Sequence, residues 1–206
     1  MHARSTTVQA RPGSIDAGVS CVRDEVMPAL LDTDGCVGLS MLVDRGSGRC
    51  IVTSAWQTPE ALRAGDPHLQ PVHDRAAAVL GGIPEVEEWE IAVLHRDHTS
   101  AAGAWVRVVW VRVAPEQADH GVDLYRMVLL PQIRQFTGFC SASLMVDRRS
   151  GYAVSSVTFD SQEAMRGTRR LAAVVREGAA GEASGEVLEV AEFELALAHL
   201  QVPEMA

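Results

Sequence analysis

Two histidines in the first half of the chain are well suited to acid–base chemistry near neutral pH, because an unperturbed imidazole titrates at about pH 6.5. His68 shares helical spacing with three small or apolar residues, Ala61, Gly65 and Val72. That spacing directs His68 towards a sheet. There it acts either as a general base or ligand contact, or as a hydrogen-bonded core histidine, which is the more common case.

A metal site is not expected at these histidines. His73 lies five residues after His68, with Pro71 between them, whereas two helical histidines that share a metal ion are usually four residues apart. We interpret His73 as a residue at the rim of the same cleft. The cysteines lack both CxxC and zinc-site spacing, so we expect reduced core thiols at Cys21, Cys36, Cys50 and Cys140.

Carboxylates recur in pairs near the end of each half of the chain, Glu88 with Glu90 and Glu192 with Glu194. A carboxylate pair can act as general acid and base. Alternation with apolar residues is more typical of the solvated face of a strand, and we favour that interpretation.

The composition excludes several classes of function. The chain has no lysine, which rules out Schiff-base chemistry and a Walker A phosphate loop. Its net charge of −9 argues against nucleic acid and anionic membranes as partners. Residues 1–14 lack the apolar segment of a secretory signal, and no apolar run is long enough for a membrane helix, so we expect a cytoplasmic protein.

An internal repeat indicates which elements position these residues. When the sequence is shifted by 103 residues, 18 of the 60 pairs that begin at positions 4–63 are identical. The densest match joins SMLVDRGSG at 40–48 to SLMVDRRSG at 143–151. Because the offset holds across several strands, both copies keep the same strand parity.

Each copy has the pattern of a ferredoxin-like βαββαβ unit. The predicted elements are a strand (4–11 and 105–113), a helix (14–32 and 117–135), two strands (36–44 and 49–56; 139–147 and 152–159), a helix beginning at Thr58 or Ser161, and a last strand (85–94 and 189–198). The strand at 105–113 is apolar on both faces, so both faces must be covered. We predict an α+β fold in which units 1–96 and 105–200 form a pseudo-dimeric α+β barrel, with a higher oligomer left open.

The chain resembles the antibiotic biosynthesis monooxygenase-like branch of the dimeric α+β barrel superfamily. The first copy carries Asp34-Gly35-Cys36-Val37-Gly38 and Trp56-Gln57-Thr58-Pro59-Glu60-Ala61-Leu62, and the second carries Thr137-Gly138-Phe139 and a segment from Phe159 to Met165. The resemblance implies ligand clefts between the sheet and the helices. It also implies activities such as cofactor-independent oxygenation of aromatic compounds or haem degradation.

The catalytic set of the best-defined members is absent. Those members use an asparagine on the first strand and a tryptophan and a histidine on the second helix, and this chain contains no asparagine. The first-strand position corresponds to Thr7 and Trp110, and the helix tryptophan position to Gly65 and Thr168; His73 lies near the histidine. We therefore expect a cofactor-free protein that binds a small hydrophobic or aromatic ligand, with oxygenation of that ligand left open. The alternative is a non-catalytic binding or stress-response module, and haem binding or degradation comes third.

The two clefts are predicted to differ. Trp110 and Tyr125 either line an aromatic pocket in the second unit or simply fill it, and we favour filling because large side chains close voids. Leu171 is a third large residue expected in that cleft. The aligned residues of the first unit are smaller or polar, namely Thr7, Val22 and His68. Pro67 and Pro71 are also expected to interrupt its second helix. We therefore predict that the open cleft lies in residues 1–96, near Thr7, His68 and His73.

Overall fold

The computed structural model describes residues 1–11, 13–182 and 185–200. The elements of the first repeat are β1 (His2–Gln9), α1 (Ile15–Cys21), a π-helical turn (Val22–Val26), α2 (Met27–Leu31), β2 (Cys36–Val43), β3 (Arg49–Trp56), α3 (Pro59–Leu80) and β4 (Pro84–Arg96). Those of the second are β5 (Trp105–Arg112), a 3₁₀ turn (Pro115–Gln117), α4 (Ala118–Leu124), a π-helical turn (Tyr125–Leu129), α5 (Leu130–Ile133), β6 (Phe139–Asp147), β7 (Tyr152–Phe159), α6 (Gln162–Gly167), α7 (Arg169–Glu182) and β8 (Glu186–Leu200).

The eight strands form a closed antiparallel barrel in the order β1-β3-β2-β8-β5-β7-β6-β4. Read around the barrel, each set of four strands has the ferredoxin-like arrangement, with its fourth strand beside its first and its third between its first and second. The predicted fold class is therefore confirmed.

Contacts along the chain define two compact units. The first runs over Met1–Trp89 and resumes at Leu195, and the second is Glu90–Glu194. Both boundaries fall inside the long strands β4 and β8, each of which begins in one unit and ends in the other. The limits of 1–96 and 105–200 that the repeat suggests stay a prediction. No described helix has the length and apolarity that would be needed to cross a membrane.

A π-helical turn interrupts the first long helix of each unit and ends two residues before a proline. Pro28 follows the turn at Val22–Val26, and Pro131 follows the turn at Tyr125–Leu129. A proline ring inside a regular α-helix clashes with the carbonyl four residues earlier and donates no hydrogen bond. Widening the preceding turn relieves that clash, and turns of this kind are frequent at functional sites.

The second helix of each unit begins as predicted, with a side-chain cap. The hydroxyl of Thr58 accepts a hydrogen bond from the backbone N–H of Ala61, and Ser161 accepts one from Ala164. The continuation was predicted wrongly. Helix α3 stays continuous through Pro67 and Pro71 because both prolines lie on its exposed face, where water can bind the freed carbonyls.

The helix that breaks is the one without prolines. The second unit has two helices, α6 and α7, that meet at Thr168. The hydroxyl of Thr168 donates to the Met165 carbonyl at 2.8 Å, and a buried arginine side chain donates to the same carbonyl. These bonds end α6, since the carbonyl is satisfied without a continuing helix.

A glycine with positive φ precedes β2 and β6 and lies against the start of the second helix. Gly35 has φ +81°, and a Cβ added there would lie 2.6 Å from the Cβ of Ala61; Gly138 has φ +75° and meets Ala164 at the same distance. Glycine is thus required at positions 35 and 138 by both the backbone conformation and the close packing.

We expect Gly35→Ala to lower the free energy of unfolding by more than about 1 kcal/mol, because it adds left-handed strain and a steric clash. Gly178→Ala is the matched control, since Gly178 lies in α7 with no atom within 4 Å of an added Cβ. The control should raise stability by about 0.5–1 kcal/mol through helix propensity. Urea unfolding followed by circular dichroism measures both, and equal effects of the two variants would contradict this account of Gly35.

Candidate functional site

The second unit contains a cavity of about 150 Å³ between its sheet and its helices. Alternate residues of β5 and its extension form one wall, from Arg107 through Val109 and Val111 to Val113. The other walls are mostly apolar, and include Ala118, Gly121, Val122, Tyr125, Ile133, Phe136, Leu144, Val157, Phe159, Ala172 and Val175. The cavity is closed at the Arg107 end, where Phe159 is fully buried, and reaches the surface near Val113, where Glu186 is exposed.

Arg107 places a buried positive charge at the closed end. Its Nη1 donates to the Thr168 hydroxyl at 2.9 Å, and its Nη2 donates to the Met165 carbonyl at 2.6 Å and to Glu192 at 3.2 Å. The guanidinium also lies over the ring of Phe159, 5.6 Å from its centroid. Burial lowers the pKa of Arg107, and Glu192 partly offsets that shift by favouring the charged form.

The hydroxyl group of Tyr125 is a second polar group in the wall of the cavity. Tyr125 is the first residue of the π-helical turn and is 4% exposed. Its hydroxyl lies 3.0 Å from the Ser155 hydroxyl and 3.5 Å from the Ser143 carbonyl. Burial raises the pKa of Tyr125 to about 12, although the Ser155 hydrogen bond opposes the shift. The phenol is therefore a hydrogen-bond donor and not a base at neutral pH.

The first unit has a much smaller cavity of about 40 Å³ in the corresponding cleft. Its lining includes Arg4, Thr6, Ser54 and His73. Arg4 donates to Asp66 with both terminal nitrogens and to Glu88 at 2.8 Å. Burial and the nearby Arg4 charge lower the pKa of His73, so its imidazole is neutral near pH 7. This space has room for one or two water molecules and not for a larger ligand.

The prediction that the open cleft lies in the first unit is thus wrong, since the larger cavity lies in the second unit. Small residues on the helices of the second unit create its volume. At the 103-residue offset, Ile15 and Leu69 of the first unit are replaced by Ala118 and Ala172. The first unit is also filled at Gly18, where an added Cβ would lie 2.2 Å from Leu80. At the aligned Gly121 an added Cβ would meet no atom within 4 Å.

The residues expected to fill the second cleft mostly lie elsewhere. Leu171 is 56% exposed on α7. Trp110 belongs to the β5 face that points away from the cavity, and its ring packs edge-on against Phe193 at 6.4 Å. Tyr125 does line the cavity, but its hydroxyl end adds polarity without closing the space.

The predicted site residues of the first unit are not brought together. His68 lies on the exposed face of α3, because its buried face is formed by Leu62, Gly65 and Leu69. Thr7 has the parity of Ser5, whose hydroxyl accepts from Trp89 at 2.8 Å on the face opposite the cleft. Of the three, only His73 lines the small cavity. Roles for Thr7, His68, His73, Trp110 and Tyr125 in ligand binding stay predictions.

Sequence reasoning missed Arg107 and misjudged Glu192. The available signal was an arginine inside the apolar strand VRVVWV, repeated as Arg4 at the offset of 103. Glu192 belongs to one of the carboxylate pairs interpreted as a solvated face. It accepts hydrogen bonds from both Arg107 and Arg169, and Arg169 lowers the pKa of Glu192 most strongly.

Comparison with known proteins gives close relatives. No protein-family model matches the chain. The uncharacterized protein Rv2557 of Mycobacterium tuberculosis is 56% identical over 205 residues, which cover 100% of this chain and 92% of the relative. The uncharacterized protein Rv2558 of the same organism is 54% identical over 206 residues, covering 100% and 87%. This chain belongs to their family.

Solved structures share the fold of this chain at low sequence identity. A proposed monooxygenase of Fusobacterium nucleatum is 10% identical with a TM-score of 0.75, covering 97% of this chain and 94% of that one. An anthrone oxidase-like protein is 15% identical with a TM-score of 0.67, covering 100% and 95%. The haem-degrading enzyme LmHde of Listeria monocytogenes is 8% identical with a TM-score of 0.54, covering 95% and 99%. The resemblance to antibiotic biosynthesis monooxygenase-like barrels is confirmed at the level of the fold.

The ionisation of Tyr125 tests its burial. In a Tyr152→Phe variant Tyr125 is the only tyrosine. We expect its phenol to titrate near pH 12 by absorbance while the protein is folded, and near pH 10 in urea. The neutral phenol then contributes stability below about pH 10 that is lost as the pH rises to about 12. A midpoint near pH 10 in the folded protein would show that the hydroxyl is exposed.

The role of Arg107 is tested by Arg107→Met. We expect a loss of about 3 kcal/mol in the free energy of unfolding, because the Met165 carbonyl and Glu192 each lose a buried donor. Arg23→Met is the control, since Arg23 is half exposed and forms an ion pair with the adjacent, exposed Asp24. Urea midpoints should be nearly unchanged for the control. If Arg107→Met behaved like the control, the buried charge network would have no structural role.

Proposed function

We propose that this protein binds a small, mainly apolar molecule with one ring and one hydrogen-bonding group in the cavity of the second unit. The observation that carries the proposal is the apolar cavity of about 150 Å³ with a buried Arg107 at its closed end and Tyr125 in its wall. Apolar walls with a few convergent polar groups are typical of small-molecule sites.

The volume limits the size of the ligand. A dry protein cavity of about 150 Å³ accommodates a benzene-sized molecule, whereas pockets for larger ligands occupy about 300–1,000 Å³. A single ring therefore matches the cavity, and a polycyclic aromatic compound or haem exceeds it. This favours a monocyclic ligand over the ligands of haem-degrading enzymes.

The polar groups favour a ligand that accepts hydrogen bonds. Arg107 has five N–H donors, of which three bind protein acceptors. When the Tyr125 hydroxyl donates to the Ser155 hydroxyl, the proton of Ser155 is left to donate to a ligand. Arg176 also lines the cavity. A phenol, an aromatic carboxylate or a ring carbonyl has the matching acceptor.

Cofactor-independent oxygenation is the second candidate, and the folds of the monooxygenase-type and anthrone oxidase-like structures favour it. That chemistry requires a base to remove a proton from the substrate. Among the described residues that line the cavity there is no histidine, and the carboxylate, Glu186, is exposed. Tyr125, with a pKa of about 12, does not accept a proton at neutral pH. Binding without catalysis therefore ranks first.

The binding proposal can be tested with a graded ligand series. Phenol, benzoate, 2-naphthol and a three-ring anthrone are titrated into the protein while methyl resonances are recorded by NMR. We expect the one-ring compounds to shift resonances of Val109, Val111, Val122 and Val175, and the three-ring compound to leave them unchanged. Binding of the three-ring compound alone would contradict the size argument.

A cavity-filling variant gives the matched comparison. Ala118→Ile with Ala172→Leu introduces the residues found at the aligned positions of the first unit and should abolish binding, since it fills the space. Ala173→Leu adds the same bulk to α7 at a residue outside the cavity lining and should leave binding unchanged. Equal affinity in the filled variant and the control would contradict the proposed site. Oxygen uptake in the presence of a bound one-ring compound would instead support the oxygenase.

A further inference from the structure

Three side chains of types that bind metal ions meet in the second unit, outside the cavity. His98 follows β4, Cys140 lies in β6, and Asp160 comes directly after β7. The Asp160 Oδ1 atom lies 2.8 Å from His98 Nε2 and 3.1 Å from Cys140 Sγ. One ligand atom from each residue lies within 4.8 Å of both others.

Backbone hydrogen bonds hold these residues together independently of their side chains. The backbone N–H groups of Asp97 and His98 both donate to the Cys140 carbonyl, at 2.9 and 3.4 Å. The N–H of Asp160 donates to the Gly138 carbonyl at 2.8 Å, two residues before Cys140. The three ligand atoms therefore converge on a preformed backbone, which lowers the cost of ordering them around an ion.

The neighbouring basic side chains pair with Asp97, so the Asp160 carboxylate interacts with His98 and Cys140. His95 binds Asp97 at 2.7 Å, and Arg134 binds the same carboxylate at 3.2 Å. The Cys140 residue is buried, whereas the side chains of His98 and Asp160 are about half exposed. The cluster thus combines a buried sulfur with an open side through which an ion can enter.

We propose that His98, Cys140 and Asp160 form a Zn²⁺ site with a water molecule in the fourth position. Nitrogen, thiolate and carboxylate are the ligand types that zinc prefers, and three protein ligands with one open position are typical of such sites. Zinc–ligand distances of about 2.0–2.3 Å in a tetrahedron separate the ligand atoms by about 3.4–3.7 Å. The Asp160 Oδ1 atom is 2.8 and 3.1 Å from the other two ligand atoms, so an outward shift of this half-exposed side chain by less than about 1 Å gives that separation. The His98 and Cys140 ligand atoms are within 4.8 Å of each other, and the half-exposed His98 side chain can turn to close the remaining distance.

The site is specific to the second unit and has no sequence signature. Positions 37 and 57, aligned with Cys140 and Asp160, are valine and glutamine. The ligands are separated by 42 and 20 residues, unlike a short zinc motif, so the sequence predicted no metal site here. Ion binding would join the segment after β4 to the ends of β6 and β7, and would stabilise the folded chain by mass action.

Cobalt replaces zinc as a spectroscopic probe in the test. The full chain, freed of any tag and treated with chelator, is titrated with Co²⁺ and then with Zn²⁺. We expect one Co²⁺ per chain with a thiolate-to-cobalt charge-transfer band, loss of that band on adding Zn²⁺, and a higher melting temperature with Zn²⁺. Absence of the band in the folded wild-type chain would overturn the proposal.

Variants assign the band to these residues. Cys140→Ser should abolish it, and His98→Ala should weaken Co²⁺ binding at least about 10-fold. His98→Ala changes a half-exposed side chain, so it reports on the site even if Cys140→Ser fails to fold. Cys36→Ser, at a half-buried thiol of the first unit, should retain the full band. A band that survives in His98→Ala with unchanged affinity would overturn the assignment.

Discussion

The buried guanidinium of Arg107 is the interaction on which the second unit depends. A charge that is removed from water must keep its hydrogen-bond partners, because an unpaired buried charge costs several kcal/mol. Its acceptors lie on two segments: the Met165 carbonyl and the Thr168 hydroxyl belong to α6 and its C-cap, and Glu192 belongs to β8. Arg107 therefore fixes the distance between β5 and the second helix, binds the Met165 carbonyl in the last turn of α6, and closes one end of the cavity.

The aligned arginines of the two units, Arg4 and Arg107, have different hydrogen-bond partners. In the first unit Arg4 pairs with Asp66 and Glu88, and α3 continues without a break. In the second unit the residue aligned with Asp66 is Arg169, which joins Arg107 in binding Glu192. In the first unit, the cleft between the sheet and the helices is filled by Ile15, Leu69 and Leu80, all of which are buried. A similar framework therefore holds an open cavity only where the helices carry smaller residues.

The sequence predicted the order of elements well, because apolar periodicity and the internal offset both report on strands and helices directly. Its errors concern side-chain direction. Thr7 was assigned to the cleft, whereas Thr6 lies there, and a shift of one residue along a strand reverses the face. Leu171 was assigned to the core, whereas its side chain is exposed to solvent. The effect of Pro67 and Pro71 depended on which helix face they occupy, and spacing alone did not show that their face is solvated.

The site itself was less predictable than the fold, because cavities depend on the volumes of residues distant in sequence. Nothing in the sequence around Ala118, Gly121 and Ala172 marks a site, and the cavity exists because these small residues meet beside β5. The cluster of His98, Cys140 and Asp160 has the same origin, since three segments bring it together. An arginine within an apolar strand was the one local signal for a functional element, as a buried charge requires dedicated partners.

The second unit holds an open apolar cavity of about 150 Å³, whereas the first unit has a space of only about 40 Å³. A crystal structure determined under xenon pressure tests it most directly, because xenon enters dry apolar cavities of this size. Xenon density is expected beside Ala118, Gly121 and Ala172, and none is expected beside His73. Xenon beside His73 alone, or a second unit without xenon, would contradict it.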